Sequence, residues 1–137
     1  MNLHEYQAKE LLKKYNVPVQ EGYACSTVHE VEDAYRQIKG QTGSSFAVIK
    51  AQIHAGGRGK GKVIETGING VKVAKSLEEI TEFAKKILGG TLVTIQTGPQ
   101  GKVVIKYSLL RICIMMGQVR AKNFIYLFYW IGAPARM

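Results

Sequence analysis

The stretch "VIKAQIHAGGRGKGK", Val48 to Lys62, joins two kinds of sequence. Read back to Phe46, "FAVIKA" is a short run with the length of a strand, and it is apolar on both sides of the alternation. That pattern predicts a central strand. The run carries one lysine, Lys50. After His54 the chain turns to glycines alternating with Arg58, Lys60 and Lys62. Glycine permits positive φ and close backbone approach, so such a loop can aim several N–H groups at one anion. Arg58 and Lys60 add charge that suits phosphate, and Lys50 can reach the same site from the strand as a point charge. Together these make a nucleoside triphosphate a sensible ligand. The competing reading is a flexible basic surface loop, and the residues alone leave both open.

Two better-known glycine motifs are excluded. Gly56 to Lys62 satisfies G-x-x-x-x-G-K, but Val63 stands where that phosphate loop needs a hydroxyl for magnesium, and "VIETGING" does not open a helix. The dinucleotide fingerprint fails because no helix follows the glycines. His54 reads as structural rather than catalytic, and His4 and His29, at helix starts, read as surface residues.

Working outward, Leu3, Ala8, Leu11, Leu12 and Tyr15 fall near helical spacing, which predicts a helix over 3–15 with one buried face, capped by Asn2. "VPVQEGYACS" is extended chain, because Pro18 stops the helix. Thr27 to Glu30 forms a capping box for a helix running to about Ile38, and "KGQTGSS" reads as a turn. Beyond the glycine loop, "IETGINGVKVAK" is a hairpin or a loop and strand. Ser76 to Glu79 is a second capping box, opening a helix over 77–88 that Gly89 and Gly90 end. "TLVTIQ" and "KVVIKYSLL" read as strands separated by the turn "TGPQG". The alternation predicts an α/β or α+β layered domain.

Charge bounds the partners. The 137 residues carry a formal net charge of +9. All ten acidic residues precede residue 100, where 13 Lys and Arg accompany them, and the last 37 residues hold six Lys and Arg with no acid. The first hundred residues thus resemble an ordinary near-balanced surface, which argues against a nucleic-acid binder. Cys25 and Cys113 have no metal-type spacing. The amphipathic N-terminus lacks the apolar core of a signal peptide, and the longest apolar tract, "NFIYLFYWIGAPA", is shorter than the roughly 20 residues of a membrane helix. The expected location is cytoplasmic, with no membrane partner.

Three separated blocks, "MNLHEYQAKELLKKYNVPVQEGYACST", "VIKAQIHAGGRGKGK" and "GVKVAKSLEEITEFAKKILGGTLVTIQTGPQGK", resemble in order the N-terminus of the β subunit of succinyl-CoA synthetase, the ADP-forming succinate–CoA ligase. The resemblance covers about residues 1–104. It implies the N-terminal part of an ATP-grasp domain. It also implies that Lys50 contacts nucleotide phosphates and that Gly57, Arg58 and Gly59 form the loop covering them. The family couples succinate, coenzyme A and ATP, with Mg²⁺, to succinyl-CoA, ADP and phosphate. The phosphoryl group passes through a histidine of a partner α subunit, so His54 is not that histidine. No catalytic residue and no metal ligand is assigned to this chain. ATP and GTP are both open as the nucleotide.

From about residue 105 the chain departs from the family. An Asn of the family pattern is replaced by Ile105, and an acidic position on the adenine side falls near Leu110. "AKNFIYL", Ala121 to Leu127, has one residue too many for a family segment, and "APAR" again looks like family sequence. Residues 105–137 therefore read as a divergent tail, which a pair of reading-frame slips bracketing roughly 105–132 would explain. The expectation is a truncated, nucleotide-binding part of the ligase subunit, without activity alone. The other readings are a non-catalytic nucleotide- or anion-binding module, or a basic polyanion-binding protein.

Overall fold

The computed structural model describes residues 3–111; Asn2 and the segments "AKNFIYL" and "APAR" lie outside them. Its elements in order are helix α1 (Glu5–Lys14), strand β1 (Gly22–Cys25), helix α2 (Val28–Thr42), strand β2 (Ala47–Ala51), strand β3 (Lys62–Val63), strand β4 (Val71–Ala74), helix α3 (Leu77–Ile87), and strands β5 (Thr91–Val93), β6 (Lys102–Val103) and β7 (Tyr107–Arg111). The expected layered mixture of helices and strands is present. The pairs within both sheets are antiparallel: one sheet has order β1-β7-β2-β4, the other β3-β5-β6.

β2 is central, as its apolar run predicts, and all five of its residues are buried. Its two faces meet different neighbours. Ala47, Ile49 and Ala51 join the core formed with Val31, Ala34, Tyr35 and Ile38 of α2 and Ile80, Ala84 and Ile87 of α3. The period of two sends Val48 and Lys50 to the opposite face. There Lys50 meets the first turn of α1, through Glu5.

The two capping boxes form where the sequence places them, whereas the N-cap of α1 is His4 and not Asn2. Thr27 accepts from the Glu30 amide and Ser76 from the Glu79 amide, while the two glutamates accept from the amides of Ser26 and Lys75. Each such cap is worth about 0.5–2 kcal/mol. α2 runs past Ile38 to Thr42 and ends at Gly43, whose φ of 67° suits glycine. The predicted turn "KGQTGSS" is therefore mostly the last helical turn: Gly40 has a low helix propensity, yet the helix continues through it, and the Thr42 hydroxyl donates to the Ile38 carbonyl at 2.8 Å. α1 begins after His4, with the Gln7 side chain accepting from the His4 amide at 3.0 Å. It has no buried residue, and Leu11 and Leu12 are each 42% exposed. The helix lies beside β1 at the sheet margin, and its polar residues Glu5 and Lys9 are more enclosed than its leucines.

"KVVIKYSLL" is not one strand. β6 and β7 belong to different sheets, and the chain crosses between them at Val104–Lys106. The Val104 backbone bonds to Gly89 and Gly90, and the Lys106 carbonyl accepts from the Gln52 amide. Those bonds turn the chain where hydropathy alone reads straight on. β7, beyond residue 104, lies between β1 and β2, with Tyr107, Ser108 and Leu109 buried. Cys25 is a free, buried thiol; Cys113 lies outside the described residues. Among the described residues no helix is long and apolar enough to cross a membrane.

Candidate functional site

The chain leaves β2 at Ala51 and turns at Gly57, which holds a φ of 76°. A Cβ in that left-handed region is strained, so glycine is required there. The amides of Lys60 and Gly61 both donate to the Gly57 carbonyl, at 3.0 and 2.8 Å, closing a tight turn over 57–61. The turn is pinned from outside. The Asn69 amide group donates to the carbonyls of Gly59 (3.1 Å) and Gly61 (3.4 Å), and the Gly70 amide donates to the Arg58 carbonyl at 3.1 Å. The glycine-rich segment is thus a clamped turn, against the reading of a flexible surface loop.

Lys50 and Arg58 converge, as the sequence reading expects, but on a residue that reading does not name. Glu5 offers one carboxylate oxygen to the Lys50 ammonium at 3.4 Å and the other to the Arg58 guanidinium at 2.7 Å, and Lys9 lies 3.2 Å from the first. The other Arg58 Nη donates to the Ala51 carbonyl at 2.7 Å. The guanidinium is therefore held at two points, by the end of a strand and the start of a helix. Burial acts on both charges. It disfavours the Lys50 ammonium more than Glu5 favours it, and with repulsion from Arg58 and Lys9 the pKa falls to about 7. Burial pushes the Glu5 carboxyl up, yet Lys50, Arg58 and Lys9 together outweigh that and hold it below its ordinary value.

An open groove of about 520 Å³ lies along this side of the turn, lined by His4, Glu5, His54, Arg58, Gln96 and Lys102. The His4 and His54 rings stack with centroids 3.7 Å apart. His4 is thus half-buried in the groove and not the surface residue its position suggests. Burial, His54, Arg58 and Lys106 all lower its pKa. His54 contributes its carbonyl as well, which accepts from Lys102 at 3.2 Å. His29 is exposed, as expected. Lys60 does not join Arg58: it lines a second groove across the turn, with Gly57, Lys62 and Thr94.

Glu5 gives no local signal in the sequence, because 45 residues separate it from Lys50. Asn69 could have been found, since an Asn-Gly pair beside a glycine loop is a natural supplier of side-chain and backbone amides. The described residues hold no group of three His, Cys, Asp or Glu that could bind a metal. The groove's carboxylate, Glu5, is already engaged by three cations, so these residues do not fit a Mg²⁺ site.

Comparison with known proteins places this geometry. The ATP-grasp domain family model matches residues 2–116. The succinate–CoA ligase [ADP-forming] subunit beta of Exiguobacterium sibiricum is 58% identical over 104 residues, covering 76% of this chain and 24% of that protein. Those of Novosphingobium aromaticivorans and Bdellovibrio bacteriovorus are 55% identical over 107 residues and 53% over 113, covering 76% and 82% of this chain and 26% of each relative. The chain thus spans about a quarter of the length of the curated relatives it matches. With the clamped glycine turn, the strand lysine and a family match across most of its length, the chain belongs to the ATP-grasp family, as a relative of the N-terminal quarter of succinate–CoA ligase β subunits.

Proposed function

We propose that these residues form the phosphate-facing part of a nucleotide site. Lys50 and Arg58 supply charge, and the turn over Gly57, Arg58 and Gly59 supplies backbone amides. The observation that carries the reading is the convergence of Lys50 and Arg58 beside a turn that Asn69 and Gly70 hold in shape. Preformed cationic and amide donors stabilise a polyphosphate at little reorganisation cost. The ligand is ATP or GTP, brought as its Mg²⁺ complex, since the described residues do not build a magnesium site of their own.

At the level of the whole assembly, the similarity supports the role of a β subunit in ADP-forming succinate–CoA ligation, with succinate and coenzyme A as substrates and an α subunit as partner. In that reaction the chain's own residues would bind and orient the phosphates and offset their charge. Thioester formation is proposed for the full-length assembly, not for these 137 residues by themselves.

The test is calorimetric titration of the chain with MgATP and with inorganic tripolyphosphate. Lys50→Ala and Arg58→Ala should each weaken binding by about 1.5–3 kcal/mol, the worth of a hydrogen bond to a charged group. Unchanged titrations in both variants would remove the assignment. A response to any polyanion with a steep salt dependence and no loss in either variant would point to a general basic surface instead.

A further inference from the structure

We infer that Glu5 is a positioning residue for the phosphate-binding pair: its carboxylate, spanning Lys50 and Arg58, holds both cations beside the glycine turn. This rests on the nucleotide reading above and adds to it a residue from a separate element, the first turn of α1. Both oxygens of one carboxylate are used, on Lys50 at 3.4 Å and Arg58 at 2.7 Å, so a single side chain sets the spacing of the two cations.

A carboxylate here can act in two opposed ways. It can occupy the anion's place and compete with phosphate, or it can hold the cations for it. Among the described residues, the cationic groups of Lys9, Lys50 and Arg58 all face the Glu5 carboxylate, so these four side chains together stay positive with Glu5 in place. Arg58 keeps its second anchor on the Ala51 carbonyl, which a phosphate cannot replace. Lys50 is 2% exposed, and a buried ammonium beside two like charges sheds its proton unless an anion stays close. These three points favour holding over competing. Without Glu5, the guanidinium pivots about its remaining anchor and Lys50 turns neutral at a lower pH.

Among the described residues, charged groups facing Lys50 include Glu5 and Lys9 from α1 and Arg58 from the turn; its partners across the flanking strands, Val71 and Ser108, carry no charge. His4 lies in the same groove as Arg58 and gains charge on acidification in every variant, so the experiment needs a Lys50-free background.

The measurement is tripolyphosphate binding by the 137-residue chain at pH 6 and pH 8, for the unaltered protein, Glu5→Gln, Glu5→Asp, Lys50→Met and the Glu5→Gln/Lys50→Met pair, each checked for folding by circular dichroism. Glu5→Gln should bind about tenfold or more weakly at pH 8, recover most of that at pH 6, and be partly rescued by aspartate. In the Lys50→Met background, Glu5→Gln should remove much less. NMR titration of the Lys50 side chain should show its transition at lower pH in Glu5→Gln, a shift that a purely structural role for the helix would not produce. Equal or tighter binding in Glu5→Gln, or an unmoved Lys50 titration, overturns the inference and leaves the nucleotide reading standing. Failure of the unaltered chain to bind at all overturns both. If Glu5→Gln does not fold, Glu5→Asp carries the comparison: it should bind more weakly at pH 8 than at pH 6 relative to the unaltered chain, and an affinity equal to that chain at both pH values overturns the inference.

Discussion

Asn69 does at the turn what Glu5 does for the charges: it fixes, from a distance, groups the sequence places next to one another. Its side-chain amide holds two carbonyls of the glycine turn, and the residue is half-buried. Asn69→Ala would leave both carbonyls without that donor. A hydrogen bond of this kind contributes about 0.5–1.5 kcal/mol net, so the variant should lose about 1–3 kcal/mol of stability in urea titration. It should also weaken triphosphate binding while Lys50 and Arg58 remain intact. The approach of Lys50 to Arg58 beside the glycine turn is legible in the sequence, because Lys50 to Gly59 are ten consecutive residues. Glu5, and the stacking of His4 on His54, are not: only the tertiary fold brings the first turn of α1 to the end of β2.

Among the elements, helices with a capping box are legible, since a hydroxyl and a carboxylate three residues apart give a local signal. The end of α2 is not legible, because glycine at position 40 resembles a stop although the αL residue is Gly43. The split between β6 and β7 is not legible, because hydropathy does not record that the backbone of Val104 is claimed by Gly89 and Gly90. The split matters for stability. β7 has β1 on one side and β2 on the other, and the Tyr107 hydroxyl donates to the Ala84 carbonyl of α3. A chain stopped after residue 104 should therefore lose its cooperative thermal transition. Leu109→Ala, at a fully buried position, should keep the transition and cost about 2–5 kcal/mol. A sharp melt from the shortened chain would show that β7 is dispensable.

For the molecule as a whole, buried titrating groups set the pH of greatest stability. Lys50 has a pKa of about 7 in the fold against an ordinary 10.5, so between those values the unfolded chain binds more protons and stability rises with pH. Cys25, raised from 9.0 to about 12, acts in the opposite sense, because above pH 9 the unfolded thiol ionises first. Tyr107 is also raised, by burial, and adds to that loss at higher pH. Stability should therefore climb from about pH 7 to pH 9, level off where the Lys50 and Cys25 effects oppose one another, and fall above the ordinary tyrosine value of 10.0; in Lys50→Met the climb should be absent, as measured by urea midpoints across pH. The strand order carries a further consequence, one of timing. On the ribosome β1 and β2 emerge early, yet neither can pair with the other, since the strand between them is β7, and Gly22 must wait for Leu110. Until then the nascent chain carries two strand edges with unmet backbone groups, and closing so long a loop is slow. From the synthesis of β1 until β7 emerges, those edges stay open to pairing with other strands, which is the hazard that shielding at the ribosomal exit would remove.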